Sequence, residues 1–151
     1  MNLKVGDKAP LFEALDENGN QIRLSDFLGK KVILFFYPKD MTITCTIESC
    51  NLRDNYNELK RRGFEVIGVS ADSEERHQRF QAKYDLPYHL IADTDMRVIK
   101  LYNVWGPKKL LGKLFKGIRR TTFVINEEGI IIAIHDKVKS RMHTEQILEC
   151  Q

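Results

Sequence analysis

Cysteine is scarce in this chain, and the long apolar runs that mark a membrane span are missing. Three cysteines among 151 residues are an odd number and too few for a disulfide-stabilised scaffold. No apolar run reaches the roughly 18 residues that a transmembrane helix needs, and residues 1–7 lack the apolar core of a signal peptide. We therefore expect a cytoplasmic protein, without membrane contact, whose thiols serve chemistry rather than structure.

A strong excess of one charge is also absent. The formal net charge is +3, and 42% of the residues are hydrophobic, as in an ordinary soluble globular protein. A charge this small does not by itself indicate a nucleic-acid partner. The length predicts one domain, residues 1–151, which we expect to be a monomer or a weak dimer. Because the sequence has no phosphate-binding glycine loop and its histidines lack metal-ligand spacing, we expect neither cofactor nor metal.

The most informative stretch runs from a buried strand into a helix. Residues 32–37 are an unbroken apolar run rich in β-branched and aromatic residues, which predicts a strand buried on both faces. After a short connection, Cys45 opens a segment of helical period that ends at Gly63, where a glycine after two arginines is typical of a helix C-terminus. Cys45 should therefore lie in the first turn, where free N–H groups and the helix dipole stabilise an anion. A thiol there loses its proton more easily, and the thiolate is the nucleophile.

A second cysteine, Cys50, follows five residues later. On a regular helix, residues five apart have Cα atoms roughly 8.5 Å apart, whereas a disulfide needs them closer than about 7 Å. Cys45 and Cys50 can therefore bond only if the start of the helix unwinds. Their spacing matches neither a zinc site, which needs a closer pair and further ligands, nor the C-x-x-C of a thioredoxin active site.

The residues before Cys45 carry a known motif. Pro38 and Thr42 precede it with the spacing Pro-x-x-x-Thr-x-x-Cys after a strand, and this pattern resembles the signature of the peroxiredoxins. The four-residue gap before Cys50 resembles the branch called bacterioferritin comigratory protein or peroxiredoxin Q. The resemblance covers most of the chain and extends to residues 104–106, 112–113 and 117–123.

The resemblance implies a thiol-dependent peroxidase that reduces hydrogen peroxide and organic hydroperoxides. Cys45 would be the peroxidatic cysteine, which becomes a sulfenic acid, and Cys50 would resolve it as an intramolecular disulfide. Thioredoxin or a similar dithiol would restore both thiols. Cys150 is the rival resolving cysteine, although we interpret it as incidental. Two other activities stay open: a thioredoxin-like disulfide reductase or isomerase, and a non-catalytic redox sensor or chaperone-like binding protein.

Four further side chains are candidates for the site. Thr42 would orient the peroxide and Pro38 would cover the thiolate from water, although a turn-forming hydroxyl and a strand-ending proline are simpler interpretations. Arg120 matches the active-site arginine of the family and would stabilise the thiolate and the charge that builds on the breaking O–O bond. Glu48 would hold the guanidinium of Arg120 through a hydrogen bond, and an exposed helix carboxylate is the alternative.

The chain departs from the family pattern just before Cys45. Pro-Gly or Pro-Val is common there, whereas this sequence has Ile43 and Thr44. Both are β-branched and prefer extended backbone, so a tight or left-handed conformation would be strained. We therefore expect a differently shaped loop and a more apolar peroxide pocket.

Strand and helix patterns alternate along the chain, which predicts an α/β protein with a central mixed sheet and helices on both faces. An Asn18-Gly19 turn predicts an N-terminal hairpin, and the resemblance implies a thioredoxin-like fold. Strands are expected at 11–15, 21–24, 32–37, 64–70, 88–92, 121–125 and 130–135, and helices at 45–62, 75–84, 95–101 and 144–149.

The segment between Asp95 and Glu127 is basic, with eight lysines and arginines and no acid. We interpret it as a solvated basic loop, and a nucleic-acid or membrane patch is the alternative. A further hypothesis is that its lysines dock the protein that reduces the disulfide.

Overall fold

The computed structural model describes residues 2–149, so Cys150 lies outside the described residues. The strands are β1 (Glu13–Leu15), β2 (Gln21–Arg23), β3 (Lys31–Phe36), β4 (Phe64–Ser70), β5 (His89–Ala92), β6 (Trp105–Leu110), β7 (Lys113–Ile118), β8 (Thr121–Ile125) and β9 (Ile131–His135). The helices are α1 (Ile43–Asp54), α2 (Tyr56–Arg61), α3 (Glu74–Tyr84), α4 (Arg97–Leu101) and α5 (His143–Glu149), with 3-10 turns at Leu24–Phe27 and Ser140–Met142. Every strand predicted from the sequence is present: the bounds of β4 and β8 are as predicted, and those of the other five differ by at most two residues.

A five-stranded sheet in the order β5-β4-β3-β8-β9 forms the middle of the molecule. Strands β3, β4 and β5 run parallel, whereas β8 is antiparallel to both β3 and β9. The most apolar strand, β3, is central and is buried from Val32 to Phe36. The predicted central mixed sheet is confirmed.

Side chains alternate along β3 and fill two cores, one on each face of the sheet. Leu34 and Phe36 point into a core that α4 and the N-terminal segment cover. Ile33 and Phe35 point into the opposite core, to which Cys45 also belongs. The helices α1, α2, α3 and α5 cover this second core through Leu52, Leu59, Phe80 and Ile147. Helices therefore cover both faces, as predicted.

The N-terminal hairpin of β1 and β2 is confirmed but shorter than predicted. Its turn contains Gly19 with φ of +77°, a conformation that glycine adopts without strain. The carboxylate of Asp16 closes the turn by accepting from the backbone N–H groups of Asn18 and Asn20, each at 2.9 Å. Phe12 lies just before β1, where its carbonyl oxygen accepts from the Leu24 backbone N–H at 3.1 Å, and its side chain packs into the first core.

The predicted helix from Cys45 to residue 62 is two helices, so that prediction is wrong. Helices α1 and α2 meet at Asn55. The Asn55 side chain donates to the carbonyl oxygen of Asn51 at 2.8 Å, and it competes there with its own backbone N–H. Gly63, with φ of +85°, follows α2 as the predicted terminating glycine.

Residues 105–118 of the basic segment form a β-hairpin, so the interpretation of a loop is wrong, although three of the four hairpin lysines are exposed as expected. Strands β6 and β7 pair with each other along their length. The turn between them contains Leu111 (φ +52°) and Gly112 (φ +79°), two left-handed residues as in a type I′ turn. Leucine is a poor signal for such a turn, and the lysines interrupt the apolar alternation that marks a strand. The ammonium of Lys108 lies 5.9 Å from the centre of the Phe115 ring on the paired strand.

Helix α3 begins with a serine cap. Ser73 Oγ accepts from the Arg76 backbone N–H at 3.3 Å. The helix ends at Asp85, which is left-handed with φ of +51°. Across residues 2–149, no helix is both long enough and apolar enough to cross a membrane.

Candidate active site

Cys45 lies in the first turn of α1, close to the end of the central strand. The helix begins at Ile43, and Thr42 is its N-cap residue with extended backbone. Cys45 has no exposed surface and packs in the second core together with Ile33 and Phe35. The prediction that Cys45 lies at the start of a helix is therefore confirmed, and the helix dipole at this position favours a negative charge.

Arg120 is the residue just before β8, and its side chain extends to the sulfur of Cys45. Its Nη2 donates to Cys45 Sγ at 3.2 Å, and its Nη1 donates to Glu48 Oε1 at 2.8 Å. Glu48 is buried one turn after Cys45, so the alternative of an exposed helix carboxylate is wrong. Burial opposes the charge of Arg120, but the charges of Glu48 and Cys45 raise its pKa. A charged guanidinium therefore bridges the thiol and a buried carboxyl group.

His143 lies next to Glu48, on the side away from Arg120. Nothing in the sequence distinguishes it from the other three histidines as a site residue. Its Nδ1 is 3.6 Å from Glu48 Oε2, and its Nε2 is 2.8 Å from Thr122 Oγ1. Burial raises the pKa of Glu48 to about 7, against the opposing effect of Arg120. Burial, with repulsion from His135 and Arg120, lowers the pKa of His143 to about 3. The site thus holds a carboxyl group that titrates near neutral pH beside a neutral imidazole.

Pro38 and Thr42 form the loop that borders the site. Thr42 is exposed, and its hydroxyl donates to the carbonyl oxygen of Lys39 at 2.9 Å. Pro38 is partly buried at the end of the core strand. Within residues 2–149 no hydrogen bond joins Thr42 to Cys45, so this hydroxyl makes the turn-type bond of the simpler interpretation. The roles of both residues toward a peroxide stay predictions.

Ile43 and Thr44 do not adopt the left-handed conformation that would be strained, and the expectation that they make the peroxide pocket more apolar is wrong for Ile43. Both residues lie in the first turn of α1, a conformation that β-branched residues tolerate at little cost. The left-handed residue of the loop is Met41, with φ of +68°. Ile43 is 82% exposed, so its side chain faces solvent and leaves the interior of the site unchanged.

Cys50 lies on the same intact helix as Cys45. Both are free thiols, and α1 is continuous from Ile43 to Asp54. Their separation on this helix excludes a direct bond. Cys50 is partly buried, and burial raises the pKa of its thiol. Its resolving role stays a prediction, and its rival Cys150 is not among the residues that the structure describes.

A buried network anchors the loop before α1, and the sequence interpretation missed it. Asp40 accepts from the Tyr37 hydroxyl at 2.6 Å, and its second oxygen lies 2.6 Å from Nδ1 of His77. The Nε2 of His77 lies 2.9 Å from the carbonyl oxygen of Ile91. Tyr37, Asp40 and His77 are all buried. The network therefore ties the loop to α3 and β5.

A second carboxylate, Asp72, extends this network. It accepts from the Asp40 backbone N–H at 2.8 Å, the Ser70 hydroxyl at 2.6 Å and Arg76 Nε at 2.9 Å. Asp40, Asp72 and His77 offer ligand atoms within 4.8 Å of one another. Each of these atoms already has a protein hydrogen-bond partner, so we interpret the cluster as a structural support rather than a metal site. Asp40 lies within the Pro-x-x-x-Thr-x-x-Cys motif, but no local sequence feature identifies His77 as its partner.

The fold and the site together define a class of protein. A thiol in the first turn of a helix, after the central strand of a mixed sheet and hydrogen-bonded to a partly buried arginine, is suited to thiol peroxidase chemistry. Residues 5–134 match the AhpC/TSA family. The chain belongs to this family and is a peroxiredoxin, an enzyme that reduces peroxides with a cysteine thiol.

Proteins similar to this chain match almost its whole length. "Putative peroxiredoxin bcp" of Coxiella burnetii is 46% identical over 148 residues, which are 98% of each chain. "Peroxiredoxin Bcp" of Escherichia coli K12 is 42% identical and covers 97% of this chain and 94% of its own. A structure of the Xanthomonas campestris Bacterioferritin Comigratory Protein matches with a TM-score of 0.86 and 29% identity, over 95% of this chain and 96% of that one. The predicted family and the thioredoxin-like fold are confirmed.

Proposed function

We propose that Cys45 is the peroxidatic cysteine of this thiol peroxidase. The observation that supports it most directly is the 3.2 Å contact from Arg120 Nη2 to Cys45 Sγ. A guanidinium there stabilises the thiolate and the negative charge that develops as the O–O bond breaks. The thiolate attacks the terminal oxygen of ROOH, so that an S–O bond forms and the O–O bond breaks. The leaving alkoxide takes up a proton, and the products are Cys45–SOH and ROH.

Access of the peroxide requires a local movement. Cys45 has no exposed surface, whereas the Arg120 side chain is 20% exposed. An incoming hydroperoxide therefore meets the guanidinium before it meets the sulfur. Pro38 excludes water from the thiolate, and the Thr42 hydroxyl exchanges its bond to Lys39 for one to the peroxide. Backbone N–H groups of the first turn of α1 complete the polar cradle.

Cys50 then resolves the sulfenic acid. Its sulfur attacks Cys45–SOH, a disulfide forms between the two sulfurs, and water leaves with the proton of Cys50. The first turns of α1 unwind in this step, which breaks the hydrogen bonds from Arg120 to Cys45 and Glu48. Unwinding also exposes Cys50, whose ionisation the folded helix disfavours through burial.

A dithiol protein, thioredoxin or a similar reductant, restores both thiols by exchange. The scheme balances without a metal, haem or nucleotide. Its substrates are hydrogen peroxide and organic hydroperoxides, and the Xanthomonas campestris relative, whose structures concern alkyl peroxide reduction, supports the organic class. We place the reaction in the cytoplasm, where thiols stay reduced, and expect a monomer or a weak dimer.

Stopped-flow peroxide consumption by three serine variants tests the assignment. Cys45→Ser should abolish the reaction, whereas Cys50→Ser should complete one turnover and leave a trappable sulfenic acid. Cys150→Ser should keep multiple turnover. Retained consumption by Cys45→Ser would refute the assignment. Reduction of insulin disulfides without peroxide, followed by turbidity, would instead indicate the disulfide reductase.

A further inference from the structure

Glu48 and His143 face each other at a distance too long for a hydrogen bond. Glu48 Oε2 and His143 Nδ1 are 3.6 Å apart, and neither atom has a hydrogen-bond partner among the described residues. Neither side chain has any exposed surface. The opposite ends of both groups are held, Oε1 by Arg120 and Nε2 by Thr122, each at 2.8 Å. Two buried polar atoms are therefore aimed at each other, which is costly unless they share a proton.

If the two atoms approach by a few tenths of an ångström, one proton between them satisfies both, and His143 allows this in two ways. When Glu48 is ionised, Nδ1–H donates to Oε2, and Nε2 accepts from the Thr122 hydroxyl. When Glu48 is protonated, its O–H donates to Nδ1, and Nε2–H donates to Thr122 Oγ1. The imidazole stays neutral in both arrangements, and only its tautomer changes.

We propose that His143 is a positioning residue that lets Glu48 bind or release a proton, and that it thereby sets how much of the Arg120 charge acts on Cys45. An ionised Glu48 shares the guanidinium with the sulfur, whereas a protonated Glu48 leaves that charge to the thiolate. Transfer of one proton from Cys45 to Glu48 keeps the buried cluster of three groups neutral overall. The proposal rests on Cys45 being the reacting thiol.

The groups around this pair come from several elements. Charged or titratable groups that face Glu48 or His143 directly, or through Arg120, are Cys45, Tyr88, Lys108, Arg120 and His135. Burial raises the pKa of Tyr88 well above its usual value and lowers that of His135, so both stay uncharged at neutral pH. Burial also raises the pKa of Glu48 to about 7 and lowers that of His143 to about 3. When the pair binds one additional proton, the carboxyl group of Glu48 therefore holds it and the imidazole of His143 stays neutral.

Three substitutions of His143 separate hydrogen bonding from space filling. His143→Asn places an amide where Nδ1 lies, so it can donate to or accept from Glu48. His143→Gln places its amide where Nε2 lies, toward Thr122. His143→Leu fills the volume with neither group. The wild-type His143 and all three variants are compared in a Cys50→Ser/Cys150→Ser background, in which only one thiol can react.

Two measurements report the protonation of Glu48 and its effect on the ionisation of the Cys45 thiol. The infrared band of the protonated carboxyl group reports Glu48 and is identified by its loss in Glu48→Gln. The rate of Cys45 alkylation by iodoacetamide, measured over the same pH range, reports the thiolate. We expect the wild-type infrared midpoint near pH 7, with an inflection in the alkylation profile at the same pH.

The leucine and glutamine variants should raise both midpoints by about one pH unit, since a buried carboxylate without a donor is destabilised more than a neutral carboxyl. His143→Asn should restore the wild-type midpoints. Equal midpoints in the asparagine and glutamine variants would overturn the proposal. A shift of the infrared midpoint without a matching shift of the inflection in the alkylation profile would also overturn it. If His143→Leu fails to fold, the comparison of His143→Asn with His143→Gln still tests the proposal. Because the infrared titration needs no catalysis, it stays interpretable even if Cys45 proves not to be the reacting thiol.

Discussion

At the scale of single residues, the reactivity of Cys45 depends on the guanidinium of Arg120, which Cys45 shares with Glu48. Arg120 bonds Cys45 with one terminal nitrogen and Glu48 with the other. The planar guanidinium of arginine can donate to both groups at once, whereas the ammonium of lysine lacks that geometry. The preceding residue, Arg119, points away and donates to the carbonyl oxygen of Asn103 at 2.6 Å. These adjacent arginines therefore provide a variant and its control.

Arg120→Lys should lower the second-order rate constant for peroxide at least about 100-fold, because loss of a preorganised donor to a developing negative charge typically costs that much. Stopped-flow kinetics at fixed pH measure this constant. Arg119→Lys should leave it nearly unchanged. Equal losses in the two variants would contradict a specific role for Arg120 at the sulfur.

Tyr37→Phe should lower the free energy of unfolding by about 1–3 kcal/mol, because a buried oxygen of Asp40 loses its donor. Urea unfolding measures this difference. Tyr84→Phe is the matched control, since the Tyr84 hydroxyl makes no hydrogen bond within residues 2–149. A loss in Tyr37→Phe no larger than in the control would show that the network does not support the loop.

At the scale of elements, helix α1 meets two opposing requirements. The folded helix places Cys45 against Arg120, yet the disulfide needs its first turns unwound. Its second half is held by the C-terminal segment: Asn51 donates to the Arg141 carbonyl oxygen at 3.0 Å and accepts from the Thr144 backbone N–H at 2.8 Å. We therefore expect unwinding to stop before Asn51.

The hairpin of β6 and β7 carries a basic surface, and one of its lysines, Lys108, lies close enough to Arg120 and Cys45 for their charges to act on its pKa. Lys108 is partly buried and donates to the Ile118 carbonyl oxygen at 2.9 Å, so it supports the hairpin itself. The remaining hairpin lysines, Lys109, Lys113 and Lys116, are exposed. We propose that the reductant docks on these lysines and therefore presents an acidic surface.

Replacing Lys109, Lys113 and Lys116 together by glutamine should raise KM for the reductant, because long-range attraction to its acidic surface is lost. The rise should shrink at high salt, and the reaction with peroxide should keep its rate. Steady-state assays with a dithiol protein measure KM. The control neutralises three exposed lysines elsewhere, Lys8, Lys30 and Lys83. An unchanged KM, or the same rise in the control, would rule out the docking role.

Local patterns made most elements predictable, while the supports of the site depend on distant contacts. The apolar runs at 32–37 and 64–70 identify β3 and β4 because both strands are buried on both faces. The Leu111-Gly112 turn carried too weak a signal to reveal the β6–β7 hairpin. The partnership of Asp40 with His77 spans 37 residues of sequence and exists only after α3 packs on the sheet. Cys45 was identifiable because its motif is contiguous.

For the molecule as a whole, two buried groups make stability depend on pH with opposite signs. The pKa of His143 falls from 6.5 unfolded to about 3 folded, so its contribution to stability is lost as pH falls below 6.5. The pKa of Glu48 rises from 4.5 to about 7, so its contribution is lost as pH rises above 4.5. Between pH 4.5 and 6.5 the two slopes, each about 1.4 kcal/mol per pH unit, offset each other.

Single substitutions should therefore expose opposite slopes in that window. Relative to the wild type, Glu48→Gln should lose stability as pH falls from 6.5 to 4.5, because only the histidine effect remains. His143→Asn should lose stability as pH rises over the same range. Urea unfolding at several pH values gives these slopes. Slopes of the same sign in both variants would contradict the assigned charge states.

The most direct test of the central claim is a tryptic mass map after one equivalent of peroxide. Cleavage after Lys39 and Arg53 leaves Cys45 and Cys50 on one peptide, 40–53, and Cys150 on another, 142–151. A Cys45–Cys50 disulfide appears as peptide 40–53 lighter by two hydrogen atoms, and this is the predicted result. An unmodified peptide 40–53, or its cross-link to 142–151, would contradict the account.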